Sequence, residues 1–153
     1  MKKFIVFFII LIGCLPVVSA QKGEMSLGVN AAYSTKWEQG GIGISFQYGM
    51  TNELRIVPSF NYFFEVDHTN SAAGFNVDIH RVFPVTRGLK LYPILGAGFL
   101  SYDNGDDGFG FNVGAGTEME LNERVSFFGE AKYSALISAW DQESIAVGIA
   151  VKF

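Results

Sequence analysis

The chain has 153 residues, with 15 acidic against 11 basic side chains, and 18 Gly and 15 Phe beside only 17% charged residues. A soluble domain carries about a quarter charged residues, so the composition points away from a solvated globule. The acidic balance argues against nucleic acid as a partner, since the sequence offers no basic patch to neutralise phosphates.

The N-terminus reads as an export signal. Met1-Lys2-Lys3 is a short positive head, Phe4 to Ile12 an apolar stretch, and Val18-Ser19-Ala20 a small-residue exit before Gln21. Pro16 stops a helix between the two, and the stretch ending at Val18 is too short to cross a bilayer as a helix. We expect a signal peptide over 1–20 and one mature domain over 21–153. A second reading takes Leu11-Ile12-Gly13-Cys14 as a lipobox with Cys14 acylated, but apolar Leu15-Pro16-Val17-Val18 follows where a polar tether belongs. Cleavage after Ala20 removes Lys2, Lys3 and the single cysteine. The mature domain then has nine basic and fifteen acidic residues, a net charge of −6, and no disulfide.

Downstream the period is two. Ile42, Ile44, Phe46, Tyr48 and Met50 alternate with Gly41, Gly43, Ser45, Gln47 and Gly49. Near the C-terminus Ile145, Val147, Ile149, Val151 and Phe153 alternate with Ser144, Ala146, Gly148, Ala150 and Lys152. Successive strand side chains point to opposite faces, so this pattern predicts strands at 24–33, 41–50, 53–65, 74–85, 89–102, 109–121, 124–135 and 143–153. Thr51-Asn52, Thr86-Arg87-Gly88 and Asn122-Glu123 read as tight turns, and 34–40, 66–73, 103–108 and 136–142 as longer polar loops. Short turns at one end and longer loops at the other describe an all-β, eight-stranded antiparallel up-and-down transmembrane β-barrel with both termini on the periplasmic side.

A soluble barrel would turn its bulky face inward. Here the opposite face is small and almost uncharged, as in Ser26, Gly28, Asn30 and Ala32, which suits a narrow lumen better than water. Ile44, Phe46, Val147 and Ile149 are therefore expected to face outer-membrane lipids. Tyr33, Trp37, Tyr62, Tyr102, Tyr133 and Trp140 are expected to form an interfacial girdle.

The assigned inward face carries Arg55, Glu65, Asp78, His80, Lys90, Glu118, Glu120, Glu130, Lys132 and Lys152. Charges out of water need partners, so a lumenal charge network is expected among Arg55, Asp78, His80, Lys90, Glu118, Glu120, Glu130 and Lys132. Arg55, Lys90, Glu118 and Glu120 fall toward the periplasmic end and the other four near mid-height. Gly96, Gly98, Gly114, Gly116 and Gly148 leave them room. The Asp78/His80 spacing also suits a carboxylate orienting an imidazole, but no Gly-x-Ser-x-Gly elbow accompanies it. His68 has only Asp67 beside it, too little for a metal site. Asp103-Asn104-Gly105-Asp106-Asp107-Gly108 lacks the twelve-residue span and closing Glu of a Ca²⁺ loop and reads as hairpin chemistry. No catalytic residue, cofactor or metal is expected.

Tyr92-Pro93-Ile94-Leu95-Gly96-Ala97-Gly98-Phe99 resembles a strand of the small outer-membrane β-barrels, the porin-like group that includes opacity proteins and the OmpA and OmpX barrels. Phe111 to Glu118 and Phe128 to Tyr133 resemble its next two strands. Terminal Val151-Lys152-Phe153 resembles the aromatic signal read by the barrel-assembly machinery, which would make Phe153 an assembly signal. The resemblance implies a structural or surface-interaction role, with any ligand held by the outer loops. A lipid A-modifying enzyme and a narrow gated channel are the alternatives.

Overall fold

The computed structural model describes residues 22–67, 69–137 and 141–153. The export signal, Cys14, Gln21, His68 and Trp140 lie outside the described residues. Two-faced alternation needs a wall with an inside and an outside, and the strands form one: β1 (Met25–Ser34), β2 (Gln39–Gly49), β3 (Leu54–Phe63), β4 (Ala72–Arg81), β5 (Phe83–Thr86), β6 (Leu89–Tyr102), β7 (Asp107–Glu120), β8 (Val125–Leu136) and β9 (Gln142–Lys152). All pair antiparallel with their neighbours, and β1 pairs with β9, from Ser26↔Lys152 to Ser34↔Ser144, which closes the sheet. Closure removes the exposed edges that an open sheet would leave in lipid.

The segment expected at 74–85 is one stave in two pieces. Register runs on from His80↔Ile94 to Phe83↔Leu91, so β4 and β5 share one line against β6 and the barrel has eight staves. The interruption follows from Pro93, which the register sets beside Arg81 and which has no N–H to donate. Val82 instead donates to the Glu53 carbonyl at 2.7 Å.

Ile42 and Ile44 are exposed on the outer wall, as are Val147 and Ile149, while Gly41, Gly43, Ser45 and Gln47 are buried. Phe46 also faces outward but is half-covered, its ring 6.3 Å from that of Phe153. At the end bearing both termini, the connections are 50–53, 87–88 and 121–124, and Gly88 takes φ 89° in the two-residue turn. The opposite end has loops 35–38, 64–71, 103–106 and 137–141. Three of these are shorter than expected, because the β ladders continue a residue or two further. β3 ends earlier, at Phe63, which moves Glu65 from the expected inward face to an exposed loop position. Tyr102 also departs from expectation. It shares strand parity with Tyr92 and Ile94, so it points inward and packs against Ala32, Phe63, Ala72 and Leu100 instead of joining the girdle. Tyr33, Tyr62 and Tyr133 do face outward at the loop end.

Candidate functional site

The chemistry-bearing side chains converge inside the barrel in three tiers. Nearest the turn end, Lys90 Nζ lies 2.7 Å from Glu120 Oε1, and Lys152 Nζ bridges Glu120 and Glu24 at 3.0 Å each. In the next tier Arg55 Nη1 donates to Glu118 Oε2 at 2.5 Å and Arg55 Nε donates to His80 Nδ1 at 3.2 Å. Because Nδ1 accepts, the His80 ring carries its proton on Nε2. The Tyr92 ring stacks on His80 at 4.7 Å, takes the Arg55 guanidinium over it at 4.5 Å, and its hydroxyl donates to Glu130 at 3.0 Å. In the third tier Lys132 Nζ pairs with Asp78 Oδ2 at 2.9 Å. Asn112 Nδ2 donates to Asp78 and to Asn76, both at 2.9 Å, and Ser134 donates back to Asn112 at 2.8 Å.

Strand parity explains why these residues meet. Arg55 on β3 faces Gly49 of β2 on one side and His80 of β4 on the other, and Glu118 lies on β7 opposite Lys90 and Phe128. Glycines hold the facing positions open: a Cβ on Gly116 would run into the Tyr92 ring, and one on Gly96 into the Asp78 carboxylate. Asp78, His80 and Glu118 are at most 2% exposed and Arg55 8%. Buried charge of this kind is tolerable only when paired and hydrogen-bonded.

All eight residues singled out from the sequence face the lumen, but they divide differently from the expected two levels. His80 joins Arg55 and Glu118 instead of standing with Asp78, whose carboxylate serves Lys132 and Asn112. The carboxylate–imidazole pair suggested by the Asp78/His80 spacing is therefore not formed. Sequence reasoning left Tyr92, Asn112 and Glu24 without a role. For Tyr92 the signal was present, since it alternates in phase with Lys90. Nothing local marks Asn112.

Between the charged tiers and the loop end is a cavity of about 40 Å³ lined by Asn30, Ser45, Ser59, Asn61 and His80 among others. Asn30 Oδ1, Ser45 Oγ, Ser59 Oγ and His80 Nε2 have no protein partner. A polar cavity of that size accommodates about two or three waters, the ordinary way such groups are satisfied. Beyond it the lining turns apolar, with Ala32, Phe63, Ala72 and Leu100 packed together beside Leu136 and Ala146.

At the loop end, Gln39 Nε2 donates to the carbonyls of Asn70 and Phe64 at 2.8 and 3.2 Å, tying loop 64–71 to β2. Asp106 exchanges hydrogen bonds with Asn104 around Gly105, which takes φ 87°, so this segment is built as a turn. Among the described residues no three His, Cys, Asp or Glu side chains are placed to hold a metal ion. Phe153 is 75% exposed at the turn end, and its amide donates to the Met25 carbonyl at 3.1 Å.

Solved structures share this architecture. The N-terminal β-barrel domain of Pseudomonas aeruginosa OprF superposes with a TM-score of 0.74 at 16% identity, covering 86% of this chain and 98% of that one. Ail, the attachment invasion locus protein of Yersinia pestis, in complex with the heparin analogue sucrose octasulfate, gives 0.61 at 20% identity, over 87% and 100%. A de novo designed transmembrane β-barrel gives 0.65 at 17% identity, over 89% and 100%. At these identities the likeness concerns the fold. No curated protein matches by sequence. The closed eight-stave wall with an apolar exterior and a charged interior agrees with the sequence model that covers residues 6–153, and the chain belongs to that model's family, the outer membrane protein β-barrel domain.

Proposed function

We propose that the protein serves the outer membrane as a structural or surface-interacting barrel whose lumen is blocked to ions, and not as an enzyme or an open pore. The observation that carries this reading is the Arg55–Glu118 pair, 2.5 Å long with side chains 10% and 3% exposed. Eight staves enclose a space that side chains can fill, whereas open porins need about twice as many. An ion crossing this lumen would have to part Lys90 from Glu120, Arg55 from Glu118 and Lys132 from Asp78 in turn. Each separation exposes charges whose pairing offsets a desolvation cost of several kcal/mol.

Planar-bilayer recording of the purified protein tests the reading, and no steady large conductance is expected. A stable porin-sized current from the monomer would overturn it. Small flickering currents that grow when Glu130 or Lys132 is neutralised would favour the narrow gated channel instead.

The enzymatic alternative is disfavoured by position. Modification of lipid A requires reactive groups at the outer rim, whereas His80 is 1% exposed inside the lumen with Nδ1 committed to Arg55. An unchanged lipid A composition on overexpression is the expected result. For surface interaction the loops set the sign of the partner. Ail is described with a sulfated polyanion bound, but the loop end here carries Glu38, Glu65, Asp67, Asp103, Asp106 and Asp141 against Lys36. A polyanionic ligand does not fit it. The outward orientation of these loops, the cleaved signal over 1–20 and the role of Phe153 in assembly belong to the same proposal.

A further inference from the structure

Four phenylalanines stand in one row across the outer wall. Phe60 pairs with Phe75, Phe75 with Phe99, and Phe99 with Phe109, on β3, β4, β6 and β7 in succession. All four are 44–51% exposed. Tyr62 and Phe64 add an edge-to-face pair at 5.7 Å, and Phe109 and Phe111 another at 6.0 Å. Beyond Phe60 the same row turns aliphatic, through Ile44, Val29 and Ile149 on β2, β1 and β9, before it meets one further Phe, Phe127 on β8.

The loops that join these four staves are also set apart. Loops 64–71 and 103–106, with the first residue of β7, carry Glu65, Asp67, Asp103, Asp106 and Asp107, all exposed and with no Lys or Arg among them. They act as one unit, because the Asp103 amide donates to the Ser71 carbonyl at 3.1 Å and the Ser71 hydroxyl donates to the Asp103 carboxylate. On the other side Glu38 stands against Lys36 in the β1–β2 loop, and Asp141 and Glu143 are the further acids. The unbroken Phe row and most of the loop-end negative charge thus share one side of the barrel.

Lipid surrounds a barrel equally on every side, so lipid alone supplies no reason for this sorting. Rigid aromatic side chains give large contact area at low entropic cost, which favours a protein surface over mobile acyl chains. A second copy docked through the same wall would set two groups of five carboxylates side by side, and like charges across an interface oppose binding. We infer that the β3–β4–β6–β7 wall is a lateral docking face for a membrane-embedded polypeptide, apolar along the Phe row and basic where it leaves the bilayer beside the acidic loops. The inference deepens the surface-interaction reading and rests on it, and its test does not depend on conductance.

The test uses the full mature barrel in phosphatidylcholine vesicles, with energy transfer from a label on the barrel to labelled polyleucine transmembrane peptides flanked by lysine or by glutamate. The lysine-flanked peptide should give transfer above the random-mixing level, and the glutamate-flanked peptide should not. Joint substitution Glu65→Gln, Asp67→Asn, Asp103→Asn, Asp106→Asn and Asp107→Asn should abolish the excess. Replacing Phe60, Phe75, Phe99 and Phe109 by Leu should reduce it, while Glu38→Gln with Glu143→Gln on the other side should leave it unchanged. Random-mixing transfer for both peptides, or equal loss in the opposite-side variant, overturns the inference. Excess transfer between two differently labelled barrels would overturn it in favour of a second copy.

Discussion

His80 and Tyr92 lie face to face inside the barrel, ring centroids 4.7 Å apart and planes within 10° of parallel, and Arg55 touches both. The stack joins the β3–β4 side of the wall to β6, and the Tyr92 hydroxyl extends it to Glu130 on β8. Tyr92→Phe keeps the stack but leaves the Glu130 carboxylate without its donor, at an expected loss of about 1–3 kcal/mol. Tyr92→Ala removes the ring from a fully buried position and should lose about 3–5 kcal/mol. Urea unfolding of the vesicle-embedded barrel distinguishes the two, and equal losses would mean that the stack contributes nothing.

Glu118→Ala strands the Arg55 guanidinium in the lumen, so unfolding free energy should fall by about 3–5 kcal/mol. Arg55→Met combined with Glu118→Leu removes both charges and should recover most of that loss, because apolar groups of similar volume often replace a buried pair at little cost. A double variant no more stable than Glu118→Ala alone would count against the pairing.

Period-two alternation made the staves, their number and the lipid-facing set legible, because a residue's parity on a strand decides its face whatever its partner. Partnership inside the lumen was not legible in the same way. Arg55 meets Glu118 and Lys132 meets Asp78 only after the wall closes on itself, and closure depends on every register at once. Asp78 and His80 share a face and a strand, yet one reaches toward β8 and the other toward β3. Tyr102 went astray because it was read by its height near the loop end, when its parity with Tyr92 decides the matter. Glu65 was lost with the early end of β3, a boundary that no single residue announces.

Arginine on the outer wall reports the lipid directly. Val147 is 47% exposed at the middle of β9, and Val147→Arg should lower stability by about 2–4 kcal/mol, the cost near a bilayer midplane. The same substitution at Leu27, nearer the turn end of β1, should cost less. Equal costs at both depths would mean that this surface does not span a bilayer.

The contacts of Asp141 with β8 should respond to acid. The Asp141 carboxylate accepts from the Tyr133 hydroxyl at 2.5 Å and from the Leu136 amide at 3.2 Å. These bonds, the Tyr133 one foremost, hold its carboxyl below the usual carboxylate range. A depressed value favours these contacts above the ordinary carboxylate range, and they are lost as pH falls through the folded value. The protection of the Leu136 amide, measured against its intrinsic exchange rate, should therefore fall only in acid. Tyr133→Phe should move the Asp141 titration back toward that of a free carboxylate, and an unchanged NMR titration would remove Tyr133 as the cause.

Adjacent rows on β7 and β8 place two glycines on opposite faces of the wall, Gly116 inside facing Glu130 in the ladder and Gly129 outside facing Thr117. A Cβ at Gly129 meets nothing closer than 4.0 Å. Gly129→Ala should therefore be neutral or stabilising, by about 0.4–1 kcal/mol, through the lower entropy of the unfolded chain. A Cβ at Gly116 collides with the Tyr92 ring, which cannot withdraw because His80 lies against it and Arg55 beside it. Gly116→Ala should consequently cost about 1–3 kcal/mol, the usual penalty for overfilling a packed interior. The two substitutions add the same methyl group one row apart, so intrinsic strand preference largely cancels between them. Comparing their urea midpoints in vesicles isolates the inner packing. Equal effects would mean that Tyr92 moves freely, and that the tier of Arg55, His80 and Glu118 is looser than its distances imply.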